Sequence, residues 1–187
     1  TVAPFPAQLE DALAAIHWLR SRGVALRLGV EEIGAWGASA GGHLAALLGV
    51  GDASRAVPPA VAAAVTWFPV LDLAARFAGA PLDDEVAPPV WERAFLAPHR
   101  FRPDDPDHRA ANPIANVAPP VADFLLFTGD RDRVVEAAQR LRFHDALVAA
   151  GGNSTVIMVG GAGHEGPAFE LDEHLDLIAG FFAARLR

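Results

Sequence analysis

Apolar residues along this chain fall into short runs that alternate with longer stretches of helical periodicity. Leu9, Leu13, Ile16 and Leu19 recur at three- and four-residue steps, which predicts an amphipathic helix over 7–22 closed by Gly23. Ile33-Gly34-Ala35-Trp36 is a short apolar run and predicts a buried strand, followed by a small-residue helix over 40–50 that ends at Gly51. Val61 to Phe68 predicts a second strand. Phe124 to Thr128 predicts a third, introduced by Pro119-Pro120 and followed by a helix over about 134–150 that closes at Gly151-Gly152. Thr155 to Val159 predicts a fourth, and Leu171, Leu175, Ile178 and Phe182 align at helical spacing in a last helix over about 168–186.

Strands that are apolar on both faces and alternate with helices imply a mostly parallel sheet with helices on both faces, a three-layer α/β sandwich. Functional residues of such sheets gather at the carboxyl ends of the strands. Residues 72–111 break the pattern. They are rich in Pro, Asp and Arg, with Phe77, Trp91, Phe95 and Phe101 scattered among them, and read as loop and short helices, a small cap or insertion.

A chain of 187 residues suffices for one domain with a substantial core, and 52% hydrophobic with 20% charged is a globular composition. No repeat period is visible, and no apolar stretch reaches the roughly 18 residues of a membrane span. The formal net charge is −8 and every cationic residue is Arg, with no basic run, which argues against nucleic acid and anionic membranes as partners. The absence of Cys excludes disulfides, thiolate catalysis and cysteine metal sites. Asp104, Asp105, Asp107 and His108 cluster, but their Pro-rich spacing fits no ligand pattern, and they read as a solvated loop. No metal or cofactor is expected.

Three residues past three strands carry the chemistry. Gly37-Ala38-Ser39-Ala40-Gly41 is G-x-S-x-G between a strand and a helix, the arrangement that pushes a serine hydroxyl into the open on a sharp turn. Gly37 and Gly41 are expected to let strand and helix approach, and the Ala40 N–H to serve as one oxyanion donor. A serine needs a base to take its proton. His164 lies in the small-residue loop 160–166 after the fourth strand, and Asp132 in the loop after the third. Asp130 competes for the acid's role; Asp132 is favoured, flanked by Arg131 and Arg133. An Asp just before a helix also reads as a helix cap. His43, four residues after Ser39, reads as a packing or hydrogen-bonding residue, and His17, His144 and His174 as helix-surface residues. Trp67 and Phe68, at the end of the second strand, are candidates for substrate contact.

The segment IGAWGASAGGHLAALL resembles the nucleophile region of bacterial α/β-hydrolases related to acetylxylan and feruloyl esterases and, more distantly, hormone-sensitive-lipase-type esterases. PFPAQLEDALAAIHWLR, ANPIANV, LLFTGDRDRVV and GAGHEG resemble their preceding helix, acid and histidine segments. The resemblance implies an α/β-hydrolase fold and a serine esterase with Ser39, Asp132 and His164 as triad, acting without a cofactor on a small-molecule ester. An arylformamidase or other amidase, a peptidase, and a non-catalytic ligand-binding relative are the alternatives. The family's upstream His-Gly-Gly segment has no counterpart here, and Glu165 stands where a small residue is usual. The expectation is therefore an N-terminally truncated single domain, with strand 33–36 at a sheet edge and Trp36 exposed. Self-association and compartment stay open, the cytoplasm being favoured unless an upstream targeting signal is missing.

Overall fold

The computed structural model describes residues 3–28, 31–78, 95, 102 and 104–186. Four strands form one parallel sheet in the order β1-β2-β3-β4: β1 Gly34–Ala38, β2 Ala63–Trp67, β3 Asp123–Gly129 and β4 Ser154–Val159. Gly34 pairs with Ala63, Val65 with Leu125 and Phe127 with Ile157, so the carboxyl ends line up along one rim of the sheet. The helices between them are α1 Ala7–Arg22, α2 Ala40–Val50, α3 Leu73–Ala78, α4 Pro106–Ala110, α5 Ala137–Ala149 and α6 Asp172–Arg185.

Alternation along each strand divides the core in two. Ala64, Phe124 and Leu126 face one side and pack with Ile16 of α1, Ala46 and Leu48 of α2, and Phe143 and Leu147 of α5. Ala63, Val65, Trp67, Leu125 and Phe127 face the other and pack with Ile178 and Phe181 of α6. This is the expected three-layer arrangement.

Three local expectations need correction. The third helix starts at Ala137, not 134, because the Val134 and Val135 N–H groups donate to the Asp132 side chain. Residues 167–170 form a 3-10 turn before α6, so Leu171 lies outside the helix and is exposed, and Phe181 is more buried than Phe182. The 104–108 segment is no simple solvated loop. The Asp105 carboxylate caps α4 by accepting from the N–H groups of Asp107 and His108, and His108 is buried, its Nδ1 accepting from the Arg102 N–H.

Among the described residues β1 has one strand neighbour and forms an edge, and Trp36 is 48% exposed, as expected of the strand. The Phe77 side chain, Trp91, Phe101 and most of the expected cap over 72–111 lie outside the described residues. No helix among the described residues is long and apolar enough to cross a membrane.

Candidate active site

Ser39 occupies the turn between β1 and α2 with φ 50° and ψ −116°, a left-handed conformation that costs a non-glycine residue of order 1–3 kcal/mol and persists because both flanks are fixed. Its N–H donates to the Trp67 carbonyl at the end of β2, and its carbonyl accepts from the His43 N–H. Strand and helix meet with almost no clearance. A Cβ on Gly37 would sit 2.3 Å from the backbone of Gly41, and one on Gly42 2.9 Å from the Gly37 carbonyl oxygen, whereas a Cβ on Gly41 would meet nothing. The crowding expected at Gly37 and Gly41 therefore falls on Gly37 and Gly42. Ala40 opens α2, so the helix itself leaves its N–H without a partner.

The structure brings Ser39, His164 and Asp132 together from three separate loops. Ser39 Oγ lies 3.0 Å from His164 Nε2, and His164 Nδ1 lies 3.1 Å from Asp132 Oδ2 and 3.3 Å from Oδ1. With Nδ1 facing a carboxylate, the ring carries its proton there and leaves Nε2 to accept from the serine hydroxyl. The Phe68 ring packs against the imidazole at 4.9 Å between centroids.

The Asp132 side chain is wholly buried. Burial alone would raise its carboxyl, but hydrogen bonds from the Val135 N–H, His164 and the Val134 N–H outweigh it and hold the carboxyl below its ordinary value. Asp132 thus stands in both positions the sequence offered: Oδ1 caps the turn before α5 at 2.9 Å to each N–H, and both oxygens face the imidazole. Asp130 has different work. Its Oδ1 accepts from the Gly161 N–H at 2.7 Å and ties the acid loop to the histidine loop. Gly129 lets these loops touch; a Cβ there would lie 2.3 Å from the carbonyl oxygens of Ala162 and Gly163.

A cavity of about 380 Å³ opens over Ser39 and His164, walled by Leu44, Val70, Leu73, Phe95, Val134 and Val135. The expected substrate contacts, Trp67 and Phe68, are not part of that wall. Trp67 belongs to the strand positions that face α6 and packs among Trp36, Phe127 and Phe169; Phe68, turned by φ 40°, is buried against Phe169.

His43 also lines the cavity and is 5% exposed, hydrogen-bonded through Nδ1 to the Val70 carbonyl at 2.7 Å; burial pushes its pKa down to about 4, so the ring is neutral. Sequence reasoning passed over Arg140, whose guanidinium is fully buried behind Asp132. A signal existed: Arg140 sits three and seven residues before Phe143 and Leu147, on the core-facing stripe of α5.

Residues 1–147 match the model of the BD-FAE family of α/β-hydrolase esterases. The chain belongs to that family. As a BD-FAE member it is 31% identical over 154 residues to the esterase LipQ of Mycobacterium tuberculosis, a match that covers 79% of this chain and 35% of LipQ. The chain therefore spans about a third of that relative's length. Among solved structures, a truncated form of a carbohydrate esterase from gut microbiota superposes with a TM-score of 0.82 at 28% identity, covering 97% of this chain and 69% of that one. Esterase 2 of Thermogutta terrifontis, bound to butyrate, superposes with a TM-score of 0.69 at 25% identity over 94% of this chain and 64% of its own. The same esterase phosphonylated by sarin gives 0.71 at 26%, over 94% and 65%. BD-FAE membership and these neighbours agree with the α/β sandwich expected from the strand pattern and with the α/β-hydrolase fold that the resemblance implied.

Proposed function

We propose that the protein is a serine carboxylesterase that cleaves short-acyl or carbohydrate esters through an acyl-enzyme. The observation that carries this reading is the relay of Ser39, His164 and Asp132, with contacts of 3.0 and 3.1 Å, at the mouth of an apolar cavity. In this reading His164 Nε2 takes the Ser39 proton as Oγ attacks the ester carbonyl, and Asp132 stabilises the imidazolium that forms. The Ala40 N–H, at the start of α2, donates to the developing oxyanion; one such donor is worth about 2.7–4 kcal/mol to the transition state. His164 then protonates the leaving alcohol, and water activated by the same imidazole releases the acid.

A cavity of about 380 Å³ with an aliphatic and aromatic wall suits a small acyl group, in keeping with butyrate in the Thermogutta esterase, while the gut carbohydrate esterase supports a sugar ester as substrate. The test compares kcat/KM for p-nitrophenyl acetate, butyrate and decanoate, an acetylated xylose and an N-formyl arylamine. The expected outcome is highest values for the short esters, with the formamide at least about 100-fold lower. A preference for the formamide would establish the amidase reading, and no turnover of any of them the non-catalytic one.

A further inference from the structure

The triad and the capped turn before α5 explain every close partner of Asp132 except one. Arg140 is completely buried, and its Nη2 donates to Asp132 Oδ2 at 3.2 Å, the oxygen that His164 Nδ1 approaches to 3.1 Å. Two backbone carbonyls hold the guanidinium in place: Nη2 also donates to the Val135 carbonyl at 3.1 Å and Nη1 to the Glu136 carbonyl at 3.2 Å. Its Nε is buried without a hydrogen-bond partner. A buried cation with an unmet donor is a poor way to stabilise a fold, because a well-packed apolar side chain of similar volume does as well or better. The Val134 and Val135 N–H groups already satisfy Oδ1. A structural account of the carboxylate therefore leaves the charge of Arg140 unexplained.

Resting on the triad reading above, we propose that Arg140 is a positioning residue of the reaction. Its guanidinium clamps the Asp132 carboxylate so that Oδ2 faces His164 and, as a fixed cation behind that carboxylate, limits how tightly His164 holds a proton. The pair Asp132–Arg140 is neutral, so forming the imidazolium adds a net positive charge to a buried cluster. Without Arg140 the same step would leave the Asp132–His164 pair neutral. The cation thus opposes the charge that forms on the ring, and the clamp preserves the geometry that the reaction needs. Burial pulls the guanidinium below its ordinary value and the carboxylate pulls it back, and it stays charged at neutral pH.

Other titratable groups lie on the two loops and in the cavity. Asp130, Arg131 and Arg133 share the acid loop, Glu165 is the exposed chain neighbour of His164, and His43 lines the same cavity in its neutral form. All are unchanged in the comparison below, so differences between variants report Arg140 and its effect through Asp132.

The experiment measures kcat, KM and the acid-side inflection of kcat/KM for p-nitrophenyl acetate in the full-length protein with Arg140, R140M and R140K. The titration midpoint of ¹³C-labelled His164 is followed by NMR in each. R140M is expected to lower kcat about tenfold or more with KM within about twofold, and to move both the inflection and the midpoint up by about one pH unit. R140K, which keeps the charge and loses the planar fork, is expected to hold the inflection near that of the parent while recovering only part of kcat. Should R140M not fold, R140Q takes its place as the uncharged variant. An uncharged variant that titrates within about 0.2 units of the parent, or an R140K that shifts as far as the uncharged variant, would overturn the proposal. S39A is measured alongside: activity surviving in S39A would refute the triad reading itself, and the NMR midpoint would still report on Arg140 independently.

Discussion

Acidification should expose the cost of burying His43. This ring sits on α2 four residues after Ser39, 5% exposed, with the Val70 carbonyl at 2.7 Å from Nδ1 and the Phe95 ring edge-on at 5.3 Å. Burial lowers its pKa from 6.5 to about 4, against the opposing pull of the Val70 and Ala111 carbonyls. The folded value lies below the unfolded one, so the unfolded chain takes up the proton first as pH falls. Stability from the neutral ring is therefore fully present above about 6.5 and is lost progressively as pH drops through about 4. At about 1.4 kcal/mol per pH unit the full loss is about 3 kcal/mol, with about 2.5 kcal/mol gone by about pH 4.5. Urea unfolding of the parent and of His43→Asn at about pH 7 and 4.5 isolates this contribution, because every other titrating group is common to both. Asn loses the ring contacts and lowers stability at both pH values, but it does not titrate. The parent should lose about 2.5 kcal/mol more than the variant between the two pH values. Losses that agree within about 0.5 kcal/mol would refute the buried, neutral assignment.

The elbow and the acid loop give two further tests. Gly37→Ala forces a Cβ against the Gly41 backbone at 2.3 Å and should cost about 2–4 kcal/mol in thermal or urea unfolding, along with most esterase activity, whereas Gly41→Ala, with open space at that Cβ, should unfold much like the parent. Asp132→Asn should lower kcat by about 10³–10⁴-fold by favouring the wrong imidazole tautomer, while Asp130→Ala, which removes only the tie to Gly161, should cost less than about tenfold. A larger loss from the Asp130 variant would mean that the acid has been misassigned.

The sheet was legible because its strands are apolar on both faces. Phe124 to Phe127 face two different layers in alternation, and only a strand covered on both sides needs such a run. The elbow was legible because a tight strand-to-helix turn requires a glycine two residues before the serine, here Gly37 before Ser39. What the pattern did not show depends on side-chain direction and long-range contact. Trp67 and Phe68 stand at the rim in sequence, but strand alternation points Trp67 toward α6, and a left-handed backbone at Phe68 turns that ring into the core, a conformation no local pattern announces. Arg140 went unread because its place on the stripe with Phe143 and Leu147 gains meaning only against the buried carboxylate of a loop eight residues earlier, a contact that folding makes. The late start of α5 was missed because the Asp132 side chain takes the N–H groups of Val134 and Val135 for a turn of its own.

The central claim is that Ser39 is a nucleophile activated by His164, and covalent labelling tests it most directly. The protein is treated with a fluorophosphonate, digested, and the modified peptide identified by mass spectrometry, with Ser39→Ala and His164→Ala treated in parallel. The account predicts one phosphonyl group on Ser39 in the parent, none in Ser39→Ala, and labelling slowed by orders of magnitude in His164→Ala, because the hydroxyl at 3.0 Å from Nε2 then has no base. A label on another residue, or labelling of Ser39 at the parental rate without His164, would contradict it.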